Sequence, residues 1–341
     1  MFDQTLYKLI NQRNLSFQEA KSSMLEIMSG NVSNVKLASW LTALKIKEET
    51  SEEYAGFAEA VIECADKIIL NDKNAVDIVG TGGDGENTIN ISTAASVVAS
   101  ASGVTVAKHG NRAVSSKCGS SNVLEELGVN IDISLENVKR CIDTIGLGFI
   151  YAPKAHKAFK YARDVRNELK IRTVFNVIGP LCNPAEVKRI VLGVYDRDLC
   201  PYIAETLLKL NYDRAMIVHG LDGLDEISIA AGTMIFELEA GKIKEYEFEP
   251  RNYGFKPASL NDIKGGESKE NAAILRDLLK NKNDGPVKDV VALNSAAAII
   301  VGGRAASWED AIQMALNSIN SGAAFNKLNQ LISLTNSFEK E

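Results

Sequence analysis

No stretch of this chain reaches the roughly 18 consecutive apolar residues that a membrane-spanning helix needs, so no membrane partner is expected. An excess of positive charge is missing too. Against 44 Asp and Glu stand 38 Lys and Arg, a net charge of −6. Nucleic-acid binders rely on clustered Lys and Arg, so no nucleic-acid partner is expected, and an anionic ligand would need a local reversal of charge. Cysteines are few and odd in number: Cys64, Cys118, Cys141, Cys182 and Cys200, with no Cys-x-x-Cys spacing. They read as reduced thiols of a cytoplasmic protein. Met1-Phe2-Asp3-Gln4 has neither the basic start nor the apolar run of a signal peptide, which agrees with that compartment. No His-x-x-x-His or mixed Cys/His spacing suggests zinc, and no fixed-period repeat or low-complexity tract is visible.

The chain does contain the makings of a globular protein: 341 residues, 45% hydrophobic and 24% charged, enough for two cooperating domains. The first seventy residues look helical. Ser16-Phe17-Gln18-Glu19 and Thr50-Ser51-Glu52-Glu53 fit capping boxes, with Gly30 available to end the first of these helices. Leu37, Leu41 and Leu44 share one helical face, and Tyr54, Phe57, Ala58, Val61, Ile62 and Ala65 form an amphipathic stripe. Beyond Ala75 the texture changes. Residues 75–79, 104–107, 148–152, 190–195 and 215–218 read as strands alternating with helices, the pattern of a mostly parallel sheet in an α/β fold. A hairpin is expected at 234–239 and 242–247, around Ala240-Gly241. The C-terminal third is helical, with turn chemistry at Gly265-Gly266 and at Asn283-Asp284-Gly285-Pro286.

The chemistry concentrates where the first strand ends. Gly80-Thr81-Gly82-Gly83-Asp84-Gly85 leads through Thr88, Asn90 and Ile91 to a helix beginning near Ser92-Thr93. Glycines let backbone N–H groups face outward, and the helix N-terminus adds the positive end of its dipole, so the segment suits an anion. Gly80-x-Gly82-x-x-Gly85 also matches the dinucleotide fingerprint, but that reading needs an acidic residue about 20 positions on. Residues 87–124 contain no Asp or Glu, where 44 in 341 would place about five. They carry Lys108, Arg112 and Lys117 instead, which suits a multiply phosphorylated ligand better. The Gly-Lys-Ser/Thr ending of a P-loop is also missing. Ser115, Ser116, Ser120 and Ser121 form a second hydroxyl-rich turn before a helix at 123–127, plausible as a further phosphate cradle.

Taken together, these segments resemble the phosphoribosyl pyrophosphate (PRPP) signatures of the anthranilate phosphoribosyltransferase family. They are Gly80-Thr81-Gly82-Gly83-Asp84, Asn90-Ile91-Ser92-Thr93 and Lys108-His109-Gly110-Asn111-Arg112-Ala113-Val114-Ser115-Ser116. Ala152-Pro153-Lys154-Ala155-His156, Arg166-Asn167-Glu168-Leu169, Arg172-Thr173-Val174-Phe175-Asn176, Gly179-Pro180-Leu181-Cys182-Asn183-Pro184 and the His219–Glu226 segment follow in the family's order. Ile89, Cys118 and Lys157-Ala158-Phe159 depart from its usual wording.

The resemblance implies a small helical domain (residues 1–73, with a later segment near 171–187) hinged to a larger α/β domain (74–170 and 188–341) with a mostly parallel central sheet, like nucleoside phosphorylases. It implies a homodimer through the helical domain and two Mg²⁺ ions accompanying PRPP. PRPP would be held by Gly80, Gly82, Gly83, Asp84, Thr88, Asn90, Ile91, Ser92, Thr93, Lys108, Ser115, Ser116 and Ser120. Gly80, Asn111 and Arg166 would face anthranilate, with His109 and His156 shaping that pocket. Ser92, Asp225 and Glu226 would hold metal, as oxygen ligands suit Mg²⁺. No residue is assigned as an obligatory acid or base, because an aromatic amine is already a neutral nucleophile. The alternatives are a nucleoside phosphorylase of the same fold and a non-enzymatic nucleic-acid-binding relative.

Overall fold

The structure is a computed structural model describing residues 2–112 and 118–338. Four helices open the chain: α1 (Phe2–Ile10), α2 (Phe17–Met28), α3 (Asn34–Lys47) and α4 (Ser51–Glu63). Both expected capping boxes form. The Glu19 N–H donates to Ser16 Oγ at 3.3 Å, and the Ser16 N–H returns to Glu19 Oε2 at 3.0 Å. Thr50 and Glu53 repeat the exchange at 3.3 and 2.8 Å, so each helix start satisfies two orphan donors. Leu37, Leu41, Leu44, Tyr54, Phe57 and Val61 are buried, and Trp40 meets the Phe57 ring edge-on at 5.3 Å. Burial of side chains this size contributes about 1.5–3 kcal/mol each, which holds the bundle together. Glu53 does more than cap. Fully buried, it also accepts from the Leu15 N–H at 2.8 Å and pairs with Lys47 at 2.8 Å.

Seven strands follow: β1 (Val76–Gly80), β2 (Val106–Gly110), β3 (Leu147–Tyr151), β4 (Arg189–Gly193), β5 (Arg214–Gly220), β6 (Thr233–Glu239) and β7 (Lys242–Phe248). They form one sheet in the order β3-β2-β1-β4-β5-β6-β7, parallel from β3 through β5 and antiparallel at β6 and β7. Ala240 (φ 49°) and Gly241 (φ 73°) turn the expected hairpin with two left-handed residues, whose twist matches its strands.

The later helices are α5 (Ile91–Ala101), α6 (Ser120–Leu127), α7 (Leu135–Ile145), α8 (Ala152–Ala155), α9 (Lys160–Leu169), α10 (Phe175–Ile178), α11 (Cys200–Lys209), α12 (Ser268–Leu279), α13 (Pro286–Val301), α14 (Trp308–Asn320) and α15 (Ala323–Asn336). Both sheet faces are covered. Ile190, Leu192, Ala215 and Ile217 join the core shared with α1–α4 and α11, while Val191, Met216 and Val218 point to the core built with α5 and α13. Two buried faces explain why the parallel strands are mostly apolar, with Asp77, Lys108 and His109 as buried exceptions. Helix α13 lies between the sheet and α14 and is buried almost all round, as an evenly apolar helix must be. Ala162 and Val165 of α9, with Phe175 and Val177 of α10, enter the same core as the N-terminal helices. Among the described residues, no helix is long and apolar enough to cross a membrane, and none of the five cysteines is in a disulfide.

Strand boundaries moved where tertiary contacts intervene. The second strand starts at Val106 because the Val104 N–H is taken by Ala99 O at the end of α5, at 3.1 Å. It therefore runs on through Lys108 and His109, which sit on the strand instead of in the loop after it. The fourth ends at Gly193, two residues early, where another backbone segment crosses it.

Candidate active site

The chain leaves β1 toward β2 on one side and later returns to pair β4 on the other. Such a reversal of strand order opens a crevice at the carboxyl ends of the strands. The glycine loop rises there. Gly82 (φ 66°), Gly83 (φ 84°) and Gly85 (φ 84°) occupy the left-handed region that side chains disfavour. The Gly82 N–H donates to Asp225 Oδ2 at 2.7 Å, and the Thr81 N–H continues the sheet ladder to Gly193 O at 2.9 Å. Arg172 donates to the Gly83 carbonyl and stacks on the Tyr195 ring at 4.0 Å.

Helix α5 starts immediately behind the loop. Asn90 makes no side-chain cap bond with it. Its amide instead donates to Cys118 O at 3.1 Å, and its oxygen accepts from Asn271 Nδ2 at 3.0 Å, so the helix N-terminus faces the crevice uncapped by Asn90. The Ser92 N–H donates to Glu226 Oε1 at 3.1 Å. Thr93 Oγ1 is buried without a partner. Ile91 is a buried core residue, so only its backbone is open to a ligand. The Thr88 backbone bridges to Lys264.

Lys108 comes from β2. Its ammonium reaches Ile78 O at 2.5 Å and Ser92 Oγ at 3.3 Å. Burial holds its pKa below the ordinary lysine range, offset by the charges of Asp77 and Glu226. Across the crevice, burial and mutual repulsion among Asp225, Glu226 and Asp84 push the Asp225 carboxyl well above its ordinary value. Glu226 is pushed up to about 7, mainly by burial, with Lys108 opposing. An acidic group this crowded gains from a cation beside it. Among the described residues, no three His, Cys, Asp or Glu side chains are arranged to hold a metal by themselves.

His109 and His156 lie with ring centroids 5.1 Å apart, and the contacts continue through Phe159 (5.5 Å from His156) and Phe175 (5.7 Å from Phe159) to the Arg166 guanidinium (5.2 Å from Phe175). This line of rings ends at a cation. Burial drives His109 well below its ordinary pKa and His156 down to about 4, so both are neutral at neutral pH, and both Nε2 atoms are buried without a partner. Burial also lowers the Arg166 pKa. Asn111 is exposed, and its carbonyl accepts from Ser120 Oγ and the Ser121 N–H, each at 3.3 Å. Ser115 and Ser116 lie outside the described residues.

Sequence reasoning gives no role to Arg172 or Gly193. A Cβ on Gly193 would sit 1.6 Å from the Asp225 carbonyl oxygen, and one on Gly80 would sit 2.5 Å from Asp225 Oδ2. Both glycines admit the acidic turn, a role that a one-dimensional reading cannot see.

A pH dependence of stability follows. A carboxyl with a raised folded-state pKa favours the folded state increasingly as pH falls toward its unfolded value; a histidine with a lowered one disfavours it below about 6.5. Metal- and ligand-free protein should therefore melt at rising temperature from about pH 8 to 6.5, as Glu226 and Asp225 protonate. Below that, unfolded-state protonation of His109 and His156 should oppose any further gain. Calorimetry across that range in chelator would detect it, and a flat or falling trend from pH 8 to 6.5 would contradict the burial of the acidic pair.

Residues 72–325 match the family model described as "Glycosyl transferase family, a/b domain", and residues 3–65 match "Glycosyl transferase family, helical bundle domain". The anthranilate phosphoribosyltransferase of Acetivibrio thermocellus is 48% identical over 338 residues, covering 99% of this chain and 98% of that protein. A crystal structure of the Thermus thermophilus anthranilate phosphoribosyltransferase superposes with a TM-score of 0.93 at 39% identity, covering 97% of this chain and 99% of that one. The Saccharomyces cerevisiae enzyme in complex with PRPP and Mg gives 0.92 at 30% identity, over 99% and 98% of the two chains.

Proposed function

This chain belongs to the anthranilate phosphoribosyltransferase family, and from that premise we propose that it transfers the 5-phosphoribosyl group of PRPP to the amino group of anthranilate. Pyrophosphate leaves and N-(5-phosphoribosyl)anthranilate forms, an early step of tryptophan biosynthesis. The observation that carries this reading is the meeting of Lys108, Ser92, Asp225 and Glu226 at the glycine loop and the N-terminus of α5.

The loop N–H groups, the start of α5 and Lys108 bind the phosphates of PRPP, with Asp84, Thr88, Asn90, Ser92, Thr93 and Ser120 around them. Ser115 and Ser116 are assigned to the same ligand from their motif. Arg166 takes the anthranilate carboxylate at the end of the aromatic line, and Asn111 and Gly80 border the pocket. His109 and His156, neutral and with unpartnered Nε2 atoms, orient the ring without transferring a proton. As the amine nitrogen bonds to C1, the C1–oxygen bond breaks and its electron pair departs with pyrophosphate; the nitrogen then gives up one of its protons to solvent or to the departing pyrophosphate. The chain contributes by orienting the amine and by stabilising the departing charge.

The donor set fits Mg²⁺: the buried Asp225 and half-buried Glu226 carboxylates, whose pKa values are raised by loss of solvent and by neighbouring carboxylates, beside the Ser92 hydroxyl. Asp225, Glu226 and Ser92 would hold it, two ions are proposed with PRPP, and bound Mg²⁺ supplies positive charge against the pyrophosphate.

We assign residues 1–73, with the segment near 171–187, to a helical domain hinged to the α/β domain of 74–170 and 188–341; the packing of Val174, Phe175 and Val177 in the core of the N-terminal helices supports this. Tyr7, Ile10, Val35 and Ile46 are large apolar residues of α1 and α3 left more than 60% exposed, which supports dimerisation through this domain. A cytoplasmic location and the lack of a nucleic-acid or membrane partner complete the reading.

The test is the loss of anthranilate fluorescence with and without PRPP and Mg²⁺; no consumption under any of these conditions would dismiss the function. Two variants separate the substrates. Lys108→Ala should raise the PRPP KM about ten- to a hundredfold, the worth of a charge-assisted hydrogen bond, and spare anthranilate. Arg166→Ala should do the reverse, with Arg166→Lys restoring only part because lysine lacks the planar fork. Unchanged KM values would remove these residues from the site.

A further inference from the structure

Strands β1 and β2 do not pair along their length. Val76↔Val106 is their only register pair among the described residues, whereas β1 and β4 stay in register from Val76↔Arg189 to Gly80↔Gly193. Beyond that first pair two side chains take the place of the ladder. The His109 N–H donates to Asp77 Oδ1 at 3.1 Å. Asn183 Nδ2 donates both to Ala107 O at 2.9 Å and to Asp77 Oδ2 at 2.8 Å. Asp77 is fully buried and Asn183 is 1% exposed.

Neither residue is needed to build a sheet. A closed parallel ladder with an apolar residue at 77 would satisfy the same backbone groups without burying a carboxylate. What the opening changes is the setting of Lys108 and His109. Consecutive strand residues point to opposite faces, and here Lys108 reaches Ser92 while His109 lies against His156. Asn183 is itself held from outside the sheet. Its oxygen accepts from the Ala185 N–H at 2.9 Å, Pro184 O accepts from the Ile68 N–H at 3.0 Å, and Cys182 Sγ packs at 3.8 Å on Ala58 O of α4.

The geometry points to Asp77 and Asn183 as a positioning pair: they hold β1 and β2 apart and so aim Lys108 at PRPP and His109 at anthranilate from one shared support. The inference rests on the function proposed above and names residues that touch neither substrate. It separates this pair from a direct ligand such as Lys108, whose loss weakens one substrate only.

The experiment measures kcat, both KM values and the melting curve for Asn183→Ala, Asp77→Asn and the double variant. Each folded single variant should raise the PRPP and anthranilate KM values together, by roughly tenfold, the effect of leaving a buried polar group unpaired. The double variant should fall well short of the product of the two, because both substitutions break one unit. Where Asp77→Asn does not fold, Asn183→Ala alone decides. Folded variants that melt earlier yet keep both KM values within about twofold of wild type, or that change one substrate only, would reduce the pair to a structural bond and overturn the inference. A wild-type protein without turnover would be a different failure, that of the function itself.

Discussion

Asp225→Asn combined with Glu226→Gln is expected to yield a folded protein whose kcat falls by about a hundredfold or more, with a much greater Mg²⁺ requirement. The substitutions keep shape and most hydrogen-bonding capacity. The introduced amide oxygens can still accept from the Gly82 and Ser92 N–H groups, the contacts that the two carboxylates now make at 2.7 and 3.1 Å. What disappears is two negative charges at the crevice between the glycine loop and α5. In the ligand-free protein those charges oppose folding at neutral pH, since burial, with repulsion from neighbouring carboxylates, raises both carboxyls. The variant should therefore be at least as stable as wild type in chelator, and its melting temperature should lose the rise between about pH 8 and 6.5. Activity and stability move in opposite directions, as expected where a site holds like charges ready for a cation. A Mg²⁺ titration of turnover at saturating PRPP, beside circular dichroism melts, reads both. Wild-type kcat and Mg²⁺ dependence in the folded variant would place the metal elsewhere.

Gly193→Ala is the second large effect, and nothing in the reacting groups changes. Its Cβ would lie 1.6 Å from the Asp225 carbonyl oxygen and 2.5 Å from the carbonyl carbon. Backbone cannot yield to that overlap as a flexible side chain can, so the turn carrying Asp225 and Glu226 must move. Displacement of about 1 Å at a positioned group can cost a hundredfold in rate, and overpacking costs about 1–3 kcal/mol in stability. The expected result is a less stable protein with kcat/KM down by about a hundredfold and a raised Mg²⁺ requirement. Unaltered Mg²⁺ dependence would show that the turn does not rest on β4.

Local chemistry was well legible. Ser16 and Thr50 formed the capping boxes their neighbours suggested, because cap and partner are three residues apart. The hairpin fell at Ala240-Gly241 because two left-handed residues suit its turn. The strand at 104–107 was displaced toward Lys108 because its start was taken by the end of α5, a competition that local propensity does not register.

Within the site, the residue kinds were legible and their states were not. The carboxylate-free stretch of 87–124 and the glycines around it announced an anion, and the order of the motifs announced a family. Yet the motif that opens with Arg172 gave that arginine no role, and Gly193 was an unremarked glycine inside the expected strand at 190–195. Asp77 received no role of its own, because its meaning depends on Asn183, 106 positions away.

The sequence by itself determined which elements form and what chemistry the chain carries, because hydrophobic period, caps and turns act over a few residues and side-chain types are printed in it. Only the tertiary structure decided that Gly82 meets Asp225 across 143 positions, that Lys108 is buried beside Asp77, and that two histidines are neutral. Those properties arise from desolvation and from contacts between distant segments. They exist only once the sheet has brought the ends of β1, β2, β4 and β5 together.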